Sequence, residues 1–148
     1  MKSKLNLQKY HFTSLEVKAA PVAISYPFDL KVTTRRHYWM AEKKPREWKV
    51  ALEIDFGGVK DDHSDVPYHG TVTAVGFFKV EADYPDSDVF GLIKITGSSL
   101  LYGAAREMVA TVSARGPYPP LILPSVSFYE EEKAAAKTKV KVKKTKGT

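Results

Sequence analysis

The chain has no cysteine, which excludes a disulfide framework and any thiolate metal site. It also lacks an apolar run near the roughly 20 residues that a bilayer span needs, so no membrane insertion is expected. The start, MKSKLNLQKYHF, is basic but has no long apolar core, unlike a signal peptide. The cytoplasm is the expected compartment. Missing too are a Gly-x-Ser-x-Gly elbow, a phosphate loop and any ligand spacing among the four histidines. Asp61, Asp62, His63 and Asp65 crowd one stretch, but without the glycine and terminal glutamate of a calcium loop they read as a solvated loop. Arg106 and Glu107 are neighbours on a helical stretch and point in different directions. Neither catalysis nor a cofactor is expected.

What is present is a soluble globular composition over 148 residues, with 43% hydrophobic and 27% charged side chains and a net charge of +6. The charge is uneven. From Glu130 onward there are seven lysines against three glutamates, so most of the excess lies in the tail. The expected division is a folded domain over 1–130 and a basic, disordered tail over 131–148, where lysine alternates with small residues and valine.

Hydrophobic periodicity orders the domain. Tyr10, Phe12, Leu15 and Val17 suit a strand with a kink or bulge. APVAISYP follows as a proline-bounded crossing loop. Phe28, Leu30 and Val32 alternate with polar residues in a strand running on towards Trp39, and AEKKPRE is a turn. Trp48, Val50, Leu52, Ile54 and Phe56 alternate most cleanly of all. Tyr68 to Ala82 is a fourth strand, and adjacent Phe77 and Phe78 imply cover on both faces of its end. The spacing then becomes helical: a short helix closed by Gly97, then a long one capped by Ser98 or Ser99, lined by Leu101, Ala105, Met108 and Val112, and ended by a left-handed Gly116 and by Pro117. Strands first and helices after give an α+β fold, with the sheet a four-stranded antiparallel meander.

Beyond the long helix, RGPYPPLILPSVSF holds four prolines between Pro117 and Pro124, so it is neither helix interior nor central strand. Yet Leu121, Ile122, Leu123, Val126 and Phe128 are too apolar for an ordinary loop. The whole stretch YGAAREMVATVSARGPYPPLILPSVSF resembles the C-terminal signature of the SecB family of export chaperones. The matching residues are Tyr102, Ala105-Arg106-Glu107, Arg115-Gly116, Tyr118-Pro119, Leu121, Leu123, Pro124, Val126 and Phe128. Ser14-Leu15-Glu16 and Gly76-Phe77-Phe78-Lys79-Val80 resemble further family stretches, collinear with it.

The resemblance implies a holdase chaperone, acting without ATP on unfolded or preprotein clients, and a last helix after the proline segment. A proline-set ribbon holds apolar groups open as a groove wall, or seals the long helix onto the sheet, and alternate residues can do each. The expected client contacts are Tyr26, Phe28, Met108, Tyr118, Leu121 and Leu123. A homotetramer, a dimer of dimers, is also implied, with Gly70, Val72 and Ala74 of strand four and Leu100, Ala104 and Val109 of the long helix at its interfaces. Export members dock on SecA through an acidic sheet surface. Here Glu16 keeps an acid, Phe12 and Thr71 do not, and the tail is basic, which argues against SecA docking. The pattern leans to a solitary or toxin–antitoxin-associated member with an antitoxin client. The alternative is a single-stranded nucleic-acid module built on Arg35, Arg36, Trp39 and the lysine-rich tail.

Overall fold

The computed structural model describes residues 3–134. Strands β1 (Leu5–Ala19), β2 (Lys31–Ala41), β3 (Lys44–Gly57) and β4 (Tyr68–Val80) form one antiparallel sheet in the order β1-β4-β3-β2. The α+β class and the four antiparallel strands are as the periodicity predicts. The strand order corrects the plain meander: β2, β3 and β4 follow one another, but β1 pairs with β4 at the far edge. The loop 20–30 makes this connection. Its extended reach of over about 30 Å far exceeds three inter-strand spacings of about 4.8 Å. One end is tied down, since the Ala20 N–H donates to the Pro67 carbonyl at 2.8 Å.

Period two sends alternate residues of each strand to opposite faces. Val50, Leu52, Ile54 and Phe56 of β3 and Val72, Ala74, Phe78 and Val80 of β4 point to the helical layer and are buried there. Strand β1 slips register twice, between Leu7 and Lys9 and between Phe12 and Ser14. The second slip keeps both Phe12 and Leu15 level with inward residues of β4 (Ala74 and Val72), while Ser14 and Glu16 face outward.

After β4, a 3-10 turn (Asp86–Asp88), α1 (Val89–Leu92), a π-helical turn (Ile93–Gly97) and α2 (Ser98–Ser113) run on without a break. Arg46 anchors the approach, donating to the carbonyls of Glu81 at 2.7 Å and Tyr84 at 2.6 Å. The expected break at Gly97 and cap at Ser98 or Ser99 are not formed. Gly97 is right-handed (φ −58°, ψ −47°), and the Ser99 hydroxyl donates back to the Ile95 carbonyl at 2.7 Å. Gly97 lies buried beside the Phe78 ring, at a distance where an added Cβ would make an ordinary contact of 3.6 Å, so close approach does not demand glycine here. Gly116 is likewise not left-handed, as no described glycine has a positive φ. A Cβ there would collide with the Tyr68 hydroxyl, so glycine serves close approach rather than helix termination.

The chain becomes helical again over 128–134, here α3. The expected domain boundary at 130 falls inside α3, and the tail beyond 134 lies outside the described residues. Arg36 and Lys94 hold this helix. Arg36 reaches Glu132 at 3.1 Å and Glu131 at 3.4 Å, Lys94 reaches Glu132 at 3.0 Å, and the Arg36 guanidinium lies 4.8 Å from the Phe128 ring centre.

Candidate functional site

The proline segment is a fitted strap. Leu121 (4% exposed) and Leu123 (0%) insert between α2 and the sheet, while Ile122 between them is 57% exposed. Prolines remove donors from this backbone, and three of its remaining polar groups are met by side chains from beneath. The Leu121 N–H donates to Ser113 Oγ at 2.8 Å, Arg106 Nε donates to the Leu123 carbonyl at 2.7 Å, and the Tyr102 hydroxyl donates to the Pro124 carbonyl at 2.5 Å. Burial pushes the Tyr102 phenol above its ordinary range, which keeps it a donor.

Tyr68 is the hub at the other end of the strap. Its hydroxyl accepts from the Tyr118 N–H at 3.0 Å and lies 3.0 Å from the Ser113 carbonyl. The Tyr118 ring meets Tyr68 edge-on, and its own hydroxyl donates to the Ala20 carbonyl at 2.5 Å, at the root of the crossing loop. Strap and crossing loop are thus tied together.

The expected client residues divide accordingly. Tyr26 is 56% exposed on the crossing loop and packs edge-on against half-buried Phe28, ring centres 5.2 Å apart. Met108 is half-buried on α2, and Tyr118 is half-buried and hydrogen-bonded. Leu121 and Leu123 are core in the chain, so Ile122 is the strap residue that faces water. Alternation along a strap cannot be phased from sequence, because prolines break any strand or helix period. Two features were missed by sequence reasoning: Val22 is 73% exposed beside Tyr26 on the crossing loop, and on the helical side of edge strand β1, Tyr10 is 50% and Leu15 39% exposed.

The expected assembly residues divide in the same way. Val72 and Ala74 are fully buried under the helical layer, and Gly70 lets the Glu16 backbone pass close. That face of β4 is occupied by the chain itself. Val109 is also fully buried, whereas Leu100 (43% exposed) and half-buried Ala104 form an α2 flank the strap does not cover.

The Arg35-Arg36 pair is split by the pleat. Arg35 faces outward to Glu53 at 3.1 Å and Asp55 at 3.0 Å, and Arg36 faces inward to α3. Glu16 is exposed on the outer face and pairs with Lys18 at 2.9 Å, a hydrogen bond that holds its carboxyl below the usual range. In the loop after β3, His63 Nδ1 accepts from the Gly58 N–H at 3.1 Å, Asp65 from the Val59 N–H at 2.9 Å, and Asp62 from the Ser64 N–H at 3.0 Å. These side chains organise their own loop. Among the described residues no three ligating side chains converge on a metal position, and no helix there is long and apolar enough to cross a membrane.

The scaffold thus keeps several aromatic and aliphatic side chains in water. The family described as preprotein translocase subunit SecB matches residues 4–136, and the chain belongs to the SecB family. A curated relative, the protein-export protein SecB of Rhodopseudomonas palustris (strain TIE-1), is 33% identical over 82 residues, covering 55% of this chain. The match spans 50% of that relative's length. A Mycobacterium tuberculosis SecB-like chaperone, solved in complex with a ChAD peptide from the HigA1 antitoxin, aligns with a TM-score of 0.59 at 16% identity. The alignment covers 84% of this chain and 91% of that one, a likeness of fold.

Proposed function

We propose that this chain is an ATP-independent holdase that binds extended, apolar stretches of non-native polypeptides. The observation that carries the proposal is the pairing of exposure with rigidity at the crossing loop. Val22 and Tyr26 stand in water on a loop whose first residue, Ala20, is tied both to Pro67 and to Tyr118 of the strap, and Tyr26 packs on Phe28, itself packed against the core. Apolar groups fixed in place lose little further entropy on binding, so their burial against a client is retained as affinity. Tyr10 and Leu15 extend the apolar surface along the helical side of β1. Nothing in this mode of binding needs catalysis or a nucleotide.

Assembly as a dimer of dimers is part of the proposal, moved from the buried β4 face to the uncovered α2 flank at Leu100 and Ala104. An antitoxin or a preprotein would both fit as client, since each offers unfolded apolar chain. Of the acidic docking positions only Glu16 is acidic, and Lys18 already engages it, so SecA docking is not part of the proposal.

The test is aggregation of a chemically denatured enzyme diluted into buffer without ATP, followed by light scattering. Wild-type protein should suppress the signal at near-equal amounts of assembly and enzyme. Tyr26→Ser combined with Val22→Ser should weaken suppression by about a hundredfold or more, because each large apolar side chain is worth about 1.5–3 kcal/mol when fully buried and about 1.4 kcal/mol is a factor of ten. Unchanged aggregation with wild-type protein defeats the proposal.

A further inference from the structure

The sheet face turned away from the helices carries a pattern that the holdase reading does not use. Strand pairing sets Lys9, Phe77, Lys49 and Trp39 in one row across all four strands, through the partners Lys9–Phe77, Phe77–Lys49 and Lys49–Trp39. The Lys9 ammonium lies 4.8 Å from the Phe77 ring centre, and the Lys49 ammonium 4.9 Å from that of Trp39. In the next row, the His11 ring lies 6.1 Å from Phe77 and the His37 ring 6.1 Å from Trp39. One trio of ammonium, aromatic ring and imidazole therefore occurs twice, side by side. Two strand spacings put the two rings about 10 Å apart.

The charges on this row are uncommitted. Among the described residues neither Lys9 nor Lys49 has a carboxylate at ion-pair distance, whereas Arg35 is engaged by Glu53 and Asp55, and Lys18 by Glu16. Glu47, in the adjoining row opposite Lys79, is engaged by Lys44 at 3.5 Å. Trp39 is 48% exposed, and half-buried Phe77 lies on the sheet face turned away from the helices.

We propose that this row is a binding site for single-stranded nucleic acid, RNA or DNA, with bases stacked on Phe77 and Trp39 and phosphates met by Lys9, Lys49 and Lys79. Each base offers a π face and each nucleotide one negative charge, so a twice-repeated platform with its own cation matches a ligand that repeats in the same way. The lysines that shield the rings in the free protein swing outward to the phosphates when bases replace them. An acidic peptide would satisfy the lysines but has no reason to repeat an aromatic-sized flat group at each charge. The site keeps Trp39 from the nucleic-acid reading of the sequence and replaces Arg35 and Arg36, which are both committed to carboxylates. It lies on the opposite sheet face from Tyr26 and the strap and does not depend on the holdase proposal.

The experiment is fluorescence anisotropy of the full chain with a labelled twelve-nucleotide oligouridylate, between about 50 and 200 mM salt. Wild-type protein should bind with quenching of tryptophan emission. Trp39→Ala should weaken binding about tenfold, and Trp39→Phe, which keeps a stacking face, should recover most of it. Lys9→Ala with Lys49→Ala should lower the slope of log affinity against log salt by about 1.4, or about 0.7 per lost phosphate contact. Circular dichroism checks that each variant is folded. No binding by wild type overturns the proposal, as does equal binding by all variants, which would place the affinity in the lysine-rich tail. Displacement by a glutamate dodecapeptide that is itself sensitive to Trp39→Ala overturns it in favour of an acidic-peptide surface.

Discussion

Val72→Glu should unfold the chain rather than split an assembly. Val72 has no exposed surface, and the strand register sets it between Leu15 of β1 and Ile54 of β3 under the helical layer. A glutamate there would lie among apolar side chains, and leaving an unpaired charge in such a place costs about 4 kcal/mol or more, a large share of the roughly 5–15 kcal/mol that a domain of this size has. Urea denaturation followed by circular dichroism should show the cooperative transition weakened or lost. Leu100→Glu is the contrast. Leu100 is 43% exposed on α2, so that substitution should leave the transition in place and lower the mass seen by light scattering from four times the 16.5 kDa chain. A folded Val72→Glu protein of half the wild-type mass would mean that β4 meets another subunit, and would return the interface to Gly70, Val72 and Ala74.

Phe78→Ala should cost about 3–5 kcal/mol, the range for emptying a buried aromatic site. The Phe78 side chain is 1% exposed, and its ring fills the space left by Gly76 on its own strand, where a Cβ would come within 2.9 Å of it. Phe77→Ala, one residue away, should cost only about 1 kcal/mol, because its ring lies on the open face under the Lys9 ammonium. Parallel urea melts of the two variants measure the difference. Equal losses would show that the open face is covered after all.

That pair of phenylalanines also marks how far the sequence was legible. Clean alternation made β3 readable, because one of its faces is dry, but of the three residues that marked β2 only Val32 lies in the strand, Phe28 and Leu30 belonging to the crossing loop before Lys31. Along β4 the inward residues include Gly70 and Ala74 and the outward ones Thr71, Thr73 and Val75, so neither composition nor size shows which face is inside. The α2 stripe at Leu101 and Ala105 was readable from helical spacing, but the junction before it was not. Gly97 and two serines look like a stop and a cap, yet the helix runs through them, with Gly97 right-handed and the Ser99 hydroxyl bonded back to the Ile95 carbonyl. Tyr10, Phe12, Leu15 and Val17 of β1 were readable together because a bulge was expected, and the slip between Phe12 and Ser14 supplies it, but the exposure of Tyr10 and Leu15 follows only from β1 lying at the sheet edge. Lys9, Phe77, Lys49 and Trp39 come from four separate strands, and no single stretch of chain displays them together. Prolines announced the strap, yet its inward and outward residues depend on Ser113, Arg106 and Tyr102 fixing its backbone from below.

The pairing of β1 with β4 has a consequence for the chain as it is made. Leu5 pairs with Val80 and Ala19 with Tyr68, so the first strand has no partner until the fourth has been synthesised. At about 5–20 residues per second that wait lasts several seconds. The β2–β3 hairpin can close meanwhile, since its partners are neighbours in sequence. The stretch with Leu5, Leu7, Tyr10, Phe12 and Leu15 cannot, and the loop closure that finally recruits it is among the slowest kinds of contact to form. Nascent β1 is thus an extended, apolar, unpaired segment, open to capture by whatever binds such segments, an already folded copy of the same protein included.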